Sequence, residues 1–258
     1  MFHNERVNEI LAILSESRYV TVEYLATKLH ISPSSIRRDL SSMEKGGLVR
    51  RSYGGVELIV ATNMSVPYMM RMQENKREKK KIAVAVAKMI KDGDVIFVDA
   101  STTVQYLLRE ITHLRGITVI TNSVEALHYL SSFQIKVVST GGTMSYENRY
   151  ALTGDSVMRM LNNVRANFAL FSAQCLDNDG IMYDCYQDEI DITRKMIERA
   201  DCRVLLCDSN KLGETSTFVK GSLDDVDFLA CDVSLAERFS EKFPRLQYST
   251  LYPAEDYN

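Results

Sequence analysis

The sequence predicts an α/β chain in two unequal parts: a small helical head with a two-stranded wing, then a larger, mostly parallel sheet with helices on its faces. Three observations lead there. Apolar residues recur at helical spacing three times within the first 45 residues. A pair of short strands around glycines follows. Beyond Gly93, short apolar runs alternate with helical segments, the βαβ pattern of a parallel sheet.

In the head, the first helix sets Val7, Ile10, Leu11 and Leu14 on one face. The second repeats the spacing with Val22, Leu25, Ala26 and Leu29, and Thr21 stands where a hydroxyl caps the free N–H groups. The third opens with Ser32 as cap and Pro33 at the first helical position, then turns Ile36, Leu40 and Met43 inward. Its other face carries Ser34, Ser35, Arg37, Arg38, Ser41 and Ser42. Only a tight turn around His30 and Ile31 fits between the second and third helices, which is helix-turn-helix geometry. Such a pair lays its second helix in the DNA major groove, where hydroxyls and guanidinium groups reach base edges and phosphates. After Gly46 and Gly47, LVRRSYGGVEL reads as two strands around a Tyr53-Gly54-Gly55 turn, a wing whose Arg50 and Arg51 are placed to touch phosphate. A helical bundle with a hairpin for protein contacts remains open on these residues alone.

Composition narrows the function classes. The 258 residues carry 31 Lys+Arg against 34 Asp+Glu, net -3, and are 45% apolar, enough for a buried core and unlike a disordered chain. The longest apolar candidate for a membrane span, IAVAVAKMI, is broken by Lys88 and far short of ~20 residues. The N-terminus lacks the regions of a secretory signal, so a cytoplasmic protein is expected. Five cysteines (Cys175, Cys185, Cys202, Cys207 and Cys231) form no C-x-x-C pair, which fits a reducing compartment. The four histidines are scattered, and no metal site, cofactor or catalytic residue is assigned. Residues 34–53 hold five basic side chains against two acidic ones, a small basic patch on a slightly acidic protein.

ISPSSIRRDLSSMEKGGLVRRSYGG resembles the N-terminal signature of the DeoR family of bacterial transcriptional regulators, whose usual form has Ser-x-x-Thr-Ile-Arg-Arg-Asp-Leu and ends in Arg-x-x-Gly-Gly. That resemblance implies a winged helix-turn-helix over residues 1–57, its helix pair spanning about 20–39. It gives Ser32, Ser34, Ser35, Arg37 and Arg38 the DNA-facing roles, beside Arg50, Arg51 and Tyr53 of the wing. Ser35 stands for the usual Thr and Tyr53 for a common His, departures that bear on operator preference. Asp39 is read as structural, because a carboxylate facing phosphate is repelled.

Residues 58–74 contain Pro67, lack a clean period and are read as a linker. The basic run QENKREKKK then begins a helix through Ile82, Val86 and Ile90, ended by Asp92-Gly93, and is read as a solvated face. Strands follow at DVIFVDA, ITVITN, IKVVST, NFALFSA, RVLLCD and DVDFLACD, with helices between, so 75–258 is expected to be a Rossmann-like α/β domain. An amphipathic helix through Leu235 and Phe239 fits the tail. Ligands bind such sheets outside the carboxyl ends of the strands. Three of those ends are small and hydroxyl-rich: Asp99 with Ser101-Thr102-Thr103, then Thr121-Asn122-Ser123, then Thr140-Gly141-Gly142-Thr143. Free N–H groups at helix starts there bind phosphate or carboxylate, and Lys211 in DSNKLG adds a positive charge.

The order Asp-x-x-Thr-Thr, Thr-Asn-Ser, Gly-Gly and Asp-Ser-x-Lys also resembles the DeoR C-terminal sensor domain, related to ribose-5-phosphate isomerase and coenzyme A transferases. Arg71, Asn75 and Lys79 match the order in which that family enters the domain. The resemblance covers about residues 3–232. It implies a phosphorylated sugar or related metabolite as effector, held by Asp99, Ser101, Thr102, Thr103, Thr121, Asn122, Ser123, Gly141, Gly142 and Lys211. Ser101 replaces a family glycine and would crowd the approach of a ligand. Thr193 stands where the family often has Lys, with Arg194 or Lys195 as neighbouring substitutes. The implied function is a regulator of sugar-metabolism genes, a repressor acting as a homo-dimer or tetramer on a double-stranded operator. Two other readings stay open: a sugar-phosphate isomerase using Asp99 or Asp188 as base, and a DNA-binding regulator whose sensor has lost its ligand.

Overall fold

The computed structural model describes residues 3–17, 19–45, 49–52, 54–58, 68–231 and 233–250. The chain divides into two compact units, Met1–Glu74 and Asn75–Asn258. The first contains α1 (His3–Glu16), β1 (Tyr19–Thr21), α2 (Val22–Leu29), α3 (Pro33–Lys45), β2 (Val49–Ser52), β3 (Gly55–Leu58) and α4 (Tyr68–Gln73). Thr21 Oγ1 accepts the Tyr24 N–H and caps α2. His30, left-handed at φ 55°, ends that helix by returning its N–H to the Ala26 and Thr27 carbonyls, and the Ile31 N–H also bonds to Ala26. The chain is thereby turned within three residues, and Ser32 Oγ accepts the Ser35 N–H as α3 begins. Ile10, Leu11, Leu14, Leu25, Ile36 and Leu40 close the core.

Two features of this unit were not foreseen. β1 pairs with β3, so the wing sheet has three antiparallel strands in the order β1-β3-β2. A Cβ on Gly55 would meet the Tyr19 ring and the Val20 carbonyl within 2.6 Å, so the strand pairing itself requires glycine there. Within the segment read as a linker, α4 packs on α1 and buries Met70 in the same core. Tyr53 and residues 59–67 lie outside the described residues.

The second unit contains α5 (Lys76–Ala87), β4 (Val95–Val98), α6 (Thr102–Glu110), β5 (Thr118–Thr121), α7 (Val124–Leu130), β6 (Lys136–Ser139), β7 (Thr143–Met144), β8 (Leu152–Thr153) and α8 (Asp155–Asn162). It continues with β9 (Ala166–Phe171), β10 (Cys175–Leu176), β11 (Ile181–Asp184), α9 (Gln187–Glu198), β12 (Ala200–Leu206), β13 (Phe218–Ser222), β14 (Phe228–Cys231), α10 (Val233–Ser240) and β15 (Gln247–Thr250). Seven parallel strands form the main sheet in the order β15-β14-β12-β9-β4-β5-β6. Alternate residues leave opposite faces. Phe97, Ala169, Phe171, Leu205 and Leu229 share one core cluster with Val157 and Leu161 of α8 and Ile192 and Met196 of α9. Their strand neighbours Ile96, Leu170, Val204 and Ala230 are buried too, which is why these strands read as unbroken apolar runs.

β5 and β6 extend the sheet to one side of β4, while β9, β12, β14 and β15 extend it to the other. The order therefore reverses between β4 and β9, and a crevice opens beyond the carboxyl ends of those two strands. The predicted third strand end departs from the pattern. β6 is followed not by a helix but by the β7–β8 hairpin, which Gly141 and Gly142 enter at φ 70° and 106°. β10, β11 and β13 form a separate antiparallel sheet. α5 ends at Ala87, before Asp92-Gly93, and the tail adds β15 as the edge strand after α10.

Candidate functional site

On the first unit, α3 presents one polar face to solvent. Ser32, Ser34, Arg37, Arg38 and Ser42 are exposed and Ser35 is half-buried, while Ile36, Leu40 and Met43 face the core. The Ser32 hydroxyl bonds to those of Ser34 and Ser35, each at 3.0 Å, around the helix start. Arg38 donates to Ser35 Oγ at 3.3 Å and Arg37 to Glu23 of α2 at 3.4 Å. These are weak solvent-exposed contacts that a stronger anion displaces. In the wing, Arg50 lies 3.8 Å from Glu57, and the Arg51 backbone N–H donates to Glu44 at 3.0 Å. Asp39 points the other way. Buried at 3% exposure, it takes a two-pronged bond from Arg6 of α1 at 2.7 and 3.0 Å. That bond holds the Arg6 guanidinium above its ordinary pKa and ties α3 to α1.

In the second unit, the groups at the switch point come together. Ser101 caps α6, its Oγ accepting the Val104 N–H, with ordinary backbone angles. Its side chain is thus used to start the helix. Thr102 and Thr103 form the buried first turn. Lys211 Nζ, carried by the 3-10 turn Ser209–Lys211 after β12, donates to Ser172 Oγ at 2.7 Å and the Ala173 carbonyl at 2.8 Å, and lies 3.5 Å from Thr103 Oγ1. A second ammonium reaches the same turn, Lys79 Nζ of α5 bonding to Thr102 Oγ1 at 3.3 Å. Two cations and the free N–H end of a helix therefore converge, a constellation that attracts a dianion.

Asp99 has a different task. One oxygen accepts the Ser101 N–H and the other the Ser172 N–H, each at 3.0 Å, and Lys220 lies 3.8 Å away. Lys220, only 3% exposed, also bonds to the Ser172 carbonyl at 2.6 Å and to Asp184 at 3.3 Å. Its charge is spent on two carboxylates, and it clamps β4, β9 and β11 together at the mouth of the crevice. On the next strand, Thr121 Oγ1 donates to the Val98 carbonyl and accepts the Ser123 N–H, while Ser123 caps α7. Asn122, 2% exposed, donates to the Leu152 carbonyl and leaves its buried Oδ1 without a partner. Such an orphaned acceptor suits a hydroxyl donor.

Of the residues singled out in the sequence, Asp99, Ser101, Thr102, Thr103 and Lys211 meet at the β4–β9 crevice. Thr121, Asn122 and Ser123 stand one strand along. Gly142 instead packs where a Cβ would lie 2.6 Å from the Thr153 carbonyl and from Val157, so its part is to shape the hairpin. Neither substitute for the missing helix cation is positioned as one. Arg194 bonds to the Val219 and Lys220 carbonyls, Lys195 pairs with Glu198, and the Thr193 hydroxyl donates to Glu189 within the helix. Ser172 and Lys220 escaped notice, while Lys79 and Asp208 were marked only as parts of family-like motifs and given no place in the site. For Lys79 a signal existed: it shares the stripe of Ile82, Ala83 and Val86 at spacings of three, four and seven, the buried face of α5. Lys220, in TSTFVKGS, had none. Burial pushes the nearby Cys175 thiol up to about 11, so it is no nucleophile at neutral pH.

Residues 6–62 match the DeoR-like helix-turn-helix domain, and residues 74–233 match the DeoR C terminal sensor domain. The HTH-type transcriptional repressor GlcR of Bacillus subtilis is 32% identical, covering 99% of this chain and 98% of its own. The glycerol-3-phosphate regulon repressor of Haemophilus influenzae is 28% identical and covers 87% of each. Among solved structures, ribose 5-phosphate isomerase A from Methanocaldococcus jannaschii is a distant likeness, at 20% identity and TM-score 0.41 over 54% of this chain and 55% of that one. The chain belongs to the DeoR family of helix-turn-helix transcriptional regulators.

Proposed function

We propose that this DNA-binding regulator represses carbohydrate-metabolism genes, and that a phosphorylated sugar or related metabolite in the second unit changes its operator affinity. The observation that carries this reading is the meeting of Lys79 and Lys211 on the first turn of α6, at the point where strand order reverses. The phosphate lies against the N–H groups of Thr102 and Thr103 and between the two ammonium groups. Asn122 Oδ1 accepts from a sugar hydroxyl, so a ligand with both phosphate and hydroxyl is favoured. A relative named as a glycerol-3-phosphate regulon repressor supports the class of ligand.

On the operator, Ser32, Ser34, Ser35, Arg37 and Arg38 face the major groove, and Arg50 and Arg51 contact phosphate. The protein acts as a two-fold oligomer in the cytoplasm, reading half-sites ~34–36 Å apart or a multiple of that spacing. Catalysis is not part of the function. Asp99 has both oxygens committed to backbone N–H groups beside Lys220, and Asp188 is exposed on the first turn of α9, so neither is poised as a base.

The test is thermal unfolding against glycerol 3-phosphate, ribose 5-phosphate and glucose 6-phosphate, with the unphosphorylated compounds as controls. A ligand at 100 times its Kd adds ~2.7 kcal/mol. A stabilisation confined to a phosphorylated compound, and absent in Lys211→Met, is the expected result. Equal responses to phosphorylated and free sugars would refute the phosphate site.

A further inference from the structure

We propose that Asn75 is a conformational switch, its bond to Asp208 holding a left-handed break that release would convert into one helix from Tyr68 to Ala87. The inference rests on the effector reading above and says how occupancy of the crevice is passed on. Asn75 and His30 are the non-glycine residues with positive φ among the described residues, and Asn75 stands at φ 50°, ψ 37° where the first unit ends and the second begins. The segment on either side contains no helix breaker. From Tyr68 to Ala87 it reads YMMRMQENKREKKKIAVAVA, without proline or glycine and rich in strong helix formers. Glu74 still bonds helically to Met70, and Lys79 bonds back to Asn75, so helix runs up to the break and resumes directly after it.

What holds the break is a side chain. Asn75 does not cap α5 with its amide; Nδ2 donates instead to Asp208 Oδ1 at 3.2 Å, across 133 residues of sequence. Asp208 is fully buried at the end of β12, caps the 3-10 turn that carries Lys211, and keeps Oδ2 without a partner. Asparagine tolerates the left-handed region, but its ordinary preference is the right-handed one that continues a helix. Two arms of the crevice thus end on one residue. Asp208 holds Asn75 directly, and Lys79, one turn further along α5, reaches Thr102. A ligand that recruits the Asp208 carboxylate or draws on Lys79 changes the balance between break and helix in the backbone that joins the two units.

The full-length parent, Asn75→Gly and Asn75→Ala are titrated by fluorescence anisotropy onto a duplex the parent selects from a random library. Each titration is run without ligand, with sodium phosphate, and with glycerol 3-phosphate, and ligand affinity is measured by calorimetry. Glycine takes the left-handed conformation without the side-chain bond, whereas alanine disfavours it. Both variants should bind the probes within about threefold of the parent. The probe should change parental operator affinity at least about fivefold and theirs less than about twofold. In the absence of ligand, Asn75→Ala should also slow amide exchange at Lys76, Arg77 and Glu78, which gain acceptors in a continuous helix. A parental response in either variant overturns the proposal, as does unaltered exchange in the alanine variant. Loss of probe binding would put Asn75 in the pocket and overturn it too. A parent that binds neither probe refutes the effector reading itself, a failure distinct from that of the switch.

Discussion

Three lysines carry different assignments, Lys79 and Lys220 buried and Lys211 half-buried, and substitution by methionine separates them. Lys79→Met and Lys211→Met keep volume and remove charge, so each should weaken a phosphorylated ligand by at least about tenfold, ~1.4 kcal/mol, in calorimetry. Lys220→Met should act on stability instead. It strands Asp99 and Asp184 near one another without their shared cation, and chemical unfolding should show a loss of ~3 kcal/mol. A stability loss equal for all three would contradict the division of labour. At the other site, Arg38→Ala should weaken operator binding and flatten its salt dependence while unfolding is unchanged, because Arg38 is exposed and its bond to Ser35 Oγ is a weak 3.3 Å contact. Residue roles were legible unevenly. Lys211 sits in a short motif at a strand end and Arg38 on a polar helix face. Lys220 is placed by a strand that pairs with β11 from 36 residues away, and nothing local marks it.

At the scale of elements, caps and strand clips can be tested one at a time. Ser101→Ala should cost ~1 kcal/mol by removing the α6 cap, and because that helix start is also the anion site, ligand affinity should fall with it. On the sheet, Arg203 of β12 grips Asp227, just before β14, at 2.6 and 2.8 Å and holds its carboxyl below the usual carboxylate range. A lowered folded pKa contributes stability above the unfolded value of ~3.9 and loses it as pH falls through the folded value. Asp227→Asn should therefore lie below the parent at pH 7 by less than about 1 kcal/mol, given the pair's exposure, with the gap closing under acid. A gap that persists under acid would assign the effect to packing. The parallel strands were readable because burial on both faces writes unbroken apolar runs. β10, β11 and the β7–β8 hairpin were not, being two to four residues long with mixed burial, and β1 is only three residues. α4 was hidden for the opposite reason: its apolar residues, Tyr68, Met69, Met70 and Met72, lie nearly in a row and show no period until α1 is there to receive them.

For the whole molecule, the division into a DNA-reading unit and a sensor unit follows from two residue patterns that no single domain shares, a capped helix pair with arginines and a run of βαβ repeats. The boundary was harder to place than either domain, since the helical segment around Asn75 is continuous in sequence and is interrupted only by a bond to Asp208 far along the chain. Function at this scale is a coupling between two affinities, typically worth ~1–3 kcal/mol. Sedimentation should give a dimer or a larger even assembly, and the selected duplex should carry a two-fold repeat at whole helical turns. The most direct measurement is the affinity of the full chain for that duplex with and without each phosphorylated sugar, in the parent and in Lys211→Met. The account predicts a change of fivefold or more on the order of typical allosteric coupling for at least one phosphorylated compound, absent with its free sugar and absent in the variant. The same change in Lys211→Met, or an equal change with the free sugar, would contradict it.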